Sequence, residues 1–393
     1  MNECSVAVHE WNIPPVVITL CTSVMGFLPL MSSVYRKISS KERIMNHQLS
    51  RRHFLQEAAI ASGAVMAATS ASSLLSQSLQ ASVPQAAGNT GNIKVGCLSW
   101  VFHSLSAGQS PVEAIDLIGG MGFDGIELII SAPQDIKQFW TDDQIGKIRR
   151  QLDQYKLEVS QFAFFQPVVE DLTSLDVDKR NIAIDRFEAG TVIAKKLGSN
   201  IVNIVAPWPR ELNQPGGGYL PRYYDLSNPQ KGQKFELLLD DSFDWNTIWS
   251  QYVDTTKACL ERVKAHGMRF SIEHHTHCVI PDANSFLLLW NEIRDEALGF
   301  NLDVGWTQSQ REYPPVAIHK VKGHLFNLHM RDIDGLMRRF VQFGEGVMDF
   351  AGIIKALKKT GFSGFISLEQ DGFGGDMKEN AKRYLAAMRE LIG

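Results

Sequence analysis

Four side chains able to share one cation stand at the ends of four short apolar runs. Glu273 closes Arg-Phe-Ser-Ile-Glu-His-His (269–275), and Asp303 lies in Gly-Phe-Asn-Leu-Asp-Val-Gly-Trp (299–306). His329 lies in His-Leu-Phe-Asn-Leu-His-Met-Arg-Asp (324–332), and Glu369 in Phe-Ile-Ser-Leu-Glu-Gln-Asp (365–371). Runs of this length, separated by helical patterns, read as buried strands of a parallel sheet. A carboxylate at the end of such a strand is costly unless it is paired or bound to a cation. Placed at equivalent strand ends, three carboxylates and one imidazole would form a single site for a divalent metal ion.

The elements that must position them begin at Ile93. Strands are predicted over 93–98, 123–129, 158–162 and 200–206, followed by the four runs above. The helices between them carry their own punctuation. Ser110 precedes Pro111 at one start, Thr141 caps a helix with Ile145, Ile148 and Leu152 on one face, and Gly198 and Gly267 end two others. Further helices are read near 284–294, 315–320, 350–360 and 378–391. Eight strands, each followed by a helix, predict an α/β fold of the (β/α)8 TIM barrel type, with its site at the carboxyl ends of the strands. A doubly wound open sheet would carry a Gly-rich phosphate turn after the first strand, where this chain has Cys97-Leu98-Ser99-Trp100. One connection is unusually long. Pro207–Asp244 carries Trp208, Tyr219, Tyr223, Tyr224 and Phe243, and is read as a lid over a sugar.

Ahead of the barrel, Ser50-Arg51-Arg52-His53-Phe54-Leu55-Gln56 has the twin-arginine signature, and the small apolar run 58–71 follows it without an acidic residue. Residues 45–92 therefore read as a Tat signal peptide and linker, implying the Tat export machinery as a partner and a periplasmic or exported destination. Residues 1–44 read as an over-extended start or a disordered segment, with Met45 the start. The competing reading, a membrane segment over Val16–Met31, is short for a span and contains Pro29.

The 393 residues are 44% hydrophobic with a formal net charge of −4, which offers no general attraction to nucleic acid. Cys97, Cys259 and Cys278, the cysteines of the barrel region, have no CxxC spacing and read as packing residues.

Taken together, Gly122-Phe123-Asp124-Gly125-Ile126-Glu127, Ile272–His275, Leu302–Gly305, Leu328–Asp332, Gly344-Glu345-Gly346 and Gly361–Glu369 resemble the xylose isomerase-like TIM barrel superfamily. Within it, the resemblance is to the sugar phosphate isomerase/epimerase branch, similar to tagatose 3-epimerase and inosose dehydratase, and it covers 93–393. It implies that Glu273, Asp303, His329 and Glu369 bind one divalent ion, Mn2+ first, with Co2+ or Mg2+ as alternatives. It also implies that Glu273 and Glu369 are the catalytic acid/base pair. Many relatives have a substrate-contacting His three residues after the strand-six Asp. Here that position is Trp306, itself a candidate for substrate binding together with His275 and Arg331, with Glu127 and His103 as further substrate-facing residues. His319 and His324 are read as structural.

The expected function is an exported, metal-dependent sugar isomerase or epimerase working through an enediolate on a small carbohydrate, with a homo-oligomer as one arrangement. A dehydratase or lyase on a keto-sugar or 3-keto-glycoside shares the first step. An apurinic endonuclease-like enzyme needs more histidines and a positive DNA-binding face. A non-catalytic sugar-binding barrel would not need the intact quartet. Export is tested by replacing Arg51 and Arg52 together with Lys. Fractionation should find the precursor retained in the cytoplasm, and normal periplasmic accumulation would remove the Tat reading.

Overall fold

The computed structural model describes residues 92–205, 209, 243–275, 278–335, 339–370 and 375–393. The expectations for 1–91, and for the lid apart from Pro209, Phe243 and Asp244, lie outside these residues.

Apolar runs rich in Ile, Val, Leu and Phe form β1 (Ile93–Leu98), β2 (Gly125–Ile130), β3 (Glu158–Phe164) and β4 (Ile201–Val205). They continue as β5 (Arg269–Glu273), β6 (Leu298–Asp303) and β7 (Leu325–Met330). A two-stranded hairpin, β8 (Asp332–Ile333) with β9 (Phe340–Val341), precedes the last barrel strand, β10 (Gly364–Leu368). The eight long strands close in the order β1-β10-β7-β6-β5-β4-β3-β2, with every pairing parallel. All eight expected strands are present, and the predicted (β/α)8 barrel is the fold.

All four of the runs that carry the candidate ligands stop short of their last residues, and two of the ends have physical reasons that bear on the site. The run 299–306 stops at Asp303, because the Asp303 side chain accepts the Trp306 backbone N–H at 2.9 Å and caps the helix Val304–Ser309. The run 324–332 leaves the barrel after Met330, because Asp332 and Ile333 pair antiparallel with Val341 and Phe340. Asp332 also gathers the loop beyond. Its Oδ2 accepts the backbone N–H groups of Gly344 and Gly346 at 2.9 Å, and its Oδ1 accepts those of Ile333 (2.9 Å) and Met348 (3.2 Å). The Gly-Glu-Gly motif and the His-Met-Arg-Asp motif, read separately in the sequence, are thus one structural unit.

Apolar side chains between strands and helices form the core. Ile272, Phe300, Leu302, Leu328, Ile366 and Leu368 are fully buried, and each is worth roughly 1.5–3 kcal/mol on leaving water. An edge-to-face aromatic ladder, Trp140–Phe162–Phe164–Phe187–Phe270, ties β3 and β5 to the helix Val177–Leu197, with centroids 5.1–5.9 Å apart. That helix stops as expected at Gly198, which adopts φ 87°. The helix expected near 284–294 spans Ala283–Ile293, because Asp282 and Ser285 form a capping box at its start. Cys97, Cys259 and Cys278 are buried free thiols, and burial pushes Cys278 up to about 12. No helix among the described residues is long and apolar enough to cross a membrane.

Candidate metal centre

Strand register brings the four candidate ligands to one end of the barrel. Asp303 pairs with His329 across β6 and β7, Glu273 pairs with Asn301 across β5 and β6, and Ser367, two residues before Glu369, pairs with His329. One donor atom from each of Glu273, Asp303, His329 and Glu369 lies within 4.8 Å of the others. Metal–oxygen bonds of roughly 2.0–2.6 Å give a coordination sphere about 4–5 Å across. By size and by chemistry the set fits one divalent ion.

The scaffold holds one side of each ligand and leaves another turned toward its partners. Asp303 spends Oδ1 on the Trp306 N–H, and its Oδ2 lies 2.7 Å from Arg331 Nη2. Glu273 spends Oε2 on Asn301 Nδ2 at 2.9 Å, and its Oε1 lies 3.3 Å from His329 Nδ1. Glu369 Oε2 lies 2.9 Å from His329 Nδ1 and pairs with Arg331. His329 thus faces two carboxylates with Nδ1, while its Nε2 lies 3.0 Å from Glu127 Oε2.

The electrostatics follow from burial without water. Burial opposes charge on His329, yet Glu273, Glu127 and Glu369 together hold its pKa well above the usual imidazole value. At Glu369 burial acts upward, but Arg331 and His329 outweigh it and keep the carboxyl well below its ordinary range. At Asp303 burial prevails even against Arg331 and raises the carboxyl. Burial likewise lifts Glu127 to about 7, with His329 acting in the opposite direction. Like charges this close cannot all ionise without more positive charge, which a divalent cation would supply.

The candidate substrate-binding residues are distributed unevenly around the quartet. Arg331 is buried, with its guanidinium 5.0 Å from the Trp306 ring centroid and 4.5 Å from that of Phe340. Gly305 leaves room for its stem, since a Cβ there would fall 2.5 Å from Arg331 Cγ. Arg331 therefore holds two ligand carboxylates while its guanidinium packs against two aromatic rings. Trp306 is buried, and half-buried His275 packs on it, tilted by 45°, at 4.0 Å between centroids. Glu127 is fully buried against His329, Gln161 and Asn327. His103 lies after β1, bonded through Nδ1 to the Ser104 carbonyl, and no described contact joins it to the quartet. His324 packs on Trp290 at 4.1 Å, in keeping with a structural role.

Sequence reasoning overlooked Asn301, Asn327 and Gln161, the amides that hold Glu273 and Glu127. Their signal was present. A polar residue sits two positions before every ligand: Ser271, Asn301, Asn327 and Ser367. The period of a strand is two, so each shares its ligand's face.

With this geometry in hand, the comparisons identify the family. The chain belongs to the xylose isomerase-like TIM barrel family, whose profile matches residues 115–391. An uncharacterised protein of Methanocaldococcus jannaschii is 21% identical over 77% of this chain and 92% of its own length. Among solved structures, the D-psicose 3-epimerase of Clostridium cellulolyticum H10 superposes with a TM-score of 0.59 at 15% identity, over 76% of this chain and 99% of its own. The 3-keto-D-glucoside 4-epimerase of E. coli gives 0.57 at 14%, over 76% and 99%. A Bacillus anthracis protein assigned as a 3-DHS dehydratase gives 0.57 at 18%, over 75% and 98%. At these identities the likeness is one of fold.

A ligand that binds only the folded chain stabilises it, by about 2.7 kcal/mol at a hundred times its Kd. Adding Mn2+ to chelator-treated protein should therefore raise Tm by several degrees, and Asp303→Asn should abolish most of that shift. A Tm indifferent to both chelator and Mn2+ would remove the metal from the quartet.

Proposed function

We propose that this chain is an exported sugar isomerase or epimerase, dependent on one divalent metal, that removes a proton beside a carbonyl and passes through an enediolate. The observation that carries this reading is the convergence of Glu273, Asp303, His329 and Glu369 at the carboxyl ends of β5, β6, β7 and β10. The donor set favours manganese, with cobalt or magnesium as substitutes. A bound ion would supply a Lewis acid for the substrate carbonyl.

The proton chemistry belongs to the chain. Glu273 and Glu369 come from strands separated in the barrel by β6 and β7, and both reach His329 Nδ1. A substrate seated between them would meet one carboxylate on each side of the reacting carbon. One takes the proton and the other returns it, which inverts that carbon. Arg331 keeps Glu369 in the ionised form that accepting a proton requires. Trp306 and His275 form an aromatic wall beside the site, suited to a sugar ring. The aromatic stretch Pro207–Asp244 is proposed as the cover, and the twin arginines as the export signal.

Elimination from a keto-sugar or 3-keto-glycoside is the second reading. It uses the same first step, and Trp306 favours it, because an indole donates less to substrate hydroxyls than the histidine of many relatives would. Incubation with keto-sugars and 3-keto-glycosides in deuterated buffer with Mn2+ tests both readings. Deuterium should enter the carbon beside the carbonyl, with an epimer or an unsaturated product separating the two outcomes. Glu273→Gln and Glu369→Gln should each lower kcat by roughly 100-fold or more, while KM moves only a few-fold. Turnover near the wild-type level in both variants would contradict the assignment.

A further inference from the structure

Glu127 is absent from the quartet, yet it is fully buried in the barrel and lies 3.0 Å from the second nitrogen of a quartet member. We propose that Glu127 is the positioning residue of the metal centre: it accepts the Nε2 proton of His329 and thereby turns the Nδ1 lone pair toward the cation site. The inference rests on the metal reading above and deepens it.

The geometry decides which tautomer His329 adopts. A neutral imidazole carries one proton, and the partner of one nitrogen fixes the state of the other. Nδ1 faces Glu273 Oε1 and Glu369 Oε2 at 3.3 and 2.9 Å, so it is the nitrogen at the ion's position. Nε2 has three neighbours, of opposite demand. Glu127 Oε2, an acceptor, lies at 3.0 Å, and two donors, Asn301 Nδ2 and Gln161 Nε2, lie at 3.1 and 3.3 Å. A bond from either amide would force the proton onto Nδ1 and close the site to a metal. Glu127 wins because it is nearest, and because both amides donate elsewhere, Gln161 to Glu127 Oε2 at 2.8 Å and Asn301 to Glu273 Oε2 at 2.9 Å. Asn327 Nδ2, at 3.4 Å, supports the same oxygen. A carboxylate behind a ligating histidine both orients the ring and strengthens it as a ligand, and losing such a partner costs roughly 10–100-fold in metal affinity.

The full chain, freed of metal by chelator, is titrated with Mn2+ while free Mn2+ is followed by electron paramagnetic resonance. Wild type, Glu127→Gln and Glu127→Met are compared, each first shown to melt cooperatively. Glu127→Gln keeps a neutral acceptor and should weaken binding about 10-fold, whereas Glu127→Met keeps none and should weaken it toward 100-fold. That graded order, with the amide partly rescuing affinity, is what a merely space-filling role would not produce. If Glu127→Met does not fold, the 10-fold loss in Glu127→Gln carries the test. Affinity within about 3-fold of wild type in the folded variants would overturn the inference and leave the metal reading intact. A wild type that binds no Mn2+ would overturn both.

Discussion

Four carboxylates, those of Glu127, Glu273, Asp303 and Glu369, are buried around one imidazole and one guanidinium. The rest of the site answers this concentration of like charge. Each buried ion costs several kcal/mol after relaxation, and Arg331 and His329 are the cationic partners that the described contacts give these groups. With all four carboxylates ionised, negative charge would be in excess, and a divalent cation is the simplest species to balance it.

The backbone makes the arrangement possible. A closed parallel barrel brings strand ends together without exposed edges, so side chains distant in sequence meet in a water-poor space. Beneath the ligands the interior is polar rather than aliphatic. Ser271, Asn301, Asn327 and Ser367 are buried, and the two asparagines direct their amides at Glu273 and Glu127. On the other flank Trp306 and Phe340, in edge contact with each other, both pack against Arg331, whose guanidinium is held on Asp303 and Glu369. Trp306 is thus tied to the arginine it packs on. The two positions work as a pair.

Much of this was legible in the sequence. Apolar runs ending in Glu273, Asp303, His329 and Glu369 announce strands with costly termini, and eight such runs announce a barrel. What escaped was whatever depends on which way a side chain points. Glu127 reads from the sequence as substrate-facing, and only register places it against the back of His329. Arg331 reads as a substrate ligand, and only the turn of Asp332 into a hairpin shows it enclosed by Phe340. Asn301 and Asn327 lay in plain view two positions ahead of their ligands, but a lone amide in an apolar run has no meaning until its neighbour across the barrel is known. The strand ends misjudged near Asp303 and Met330 have the same root, since capping and hairpin pairing overrode the apolar period there.

The central claim is that one divalent ion sits among these four side chains. Diffraction from crystals grown with Mn2+, collected on both sides of the manganese absorption edge, addresses it without reference to any substrate. The account predicts a single anomalous peak bounded by Glu273, Asp303, His329 Nδ1 and Glu369, with Arg331 still on the carboxylates beside it. A crystal with no peak there, or with its manganese bound elsewhere, would contradict it.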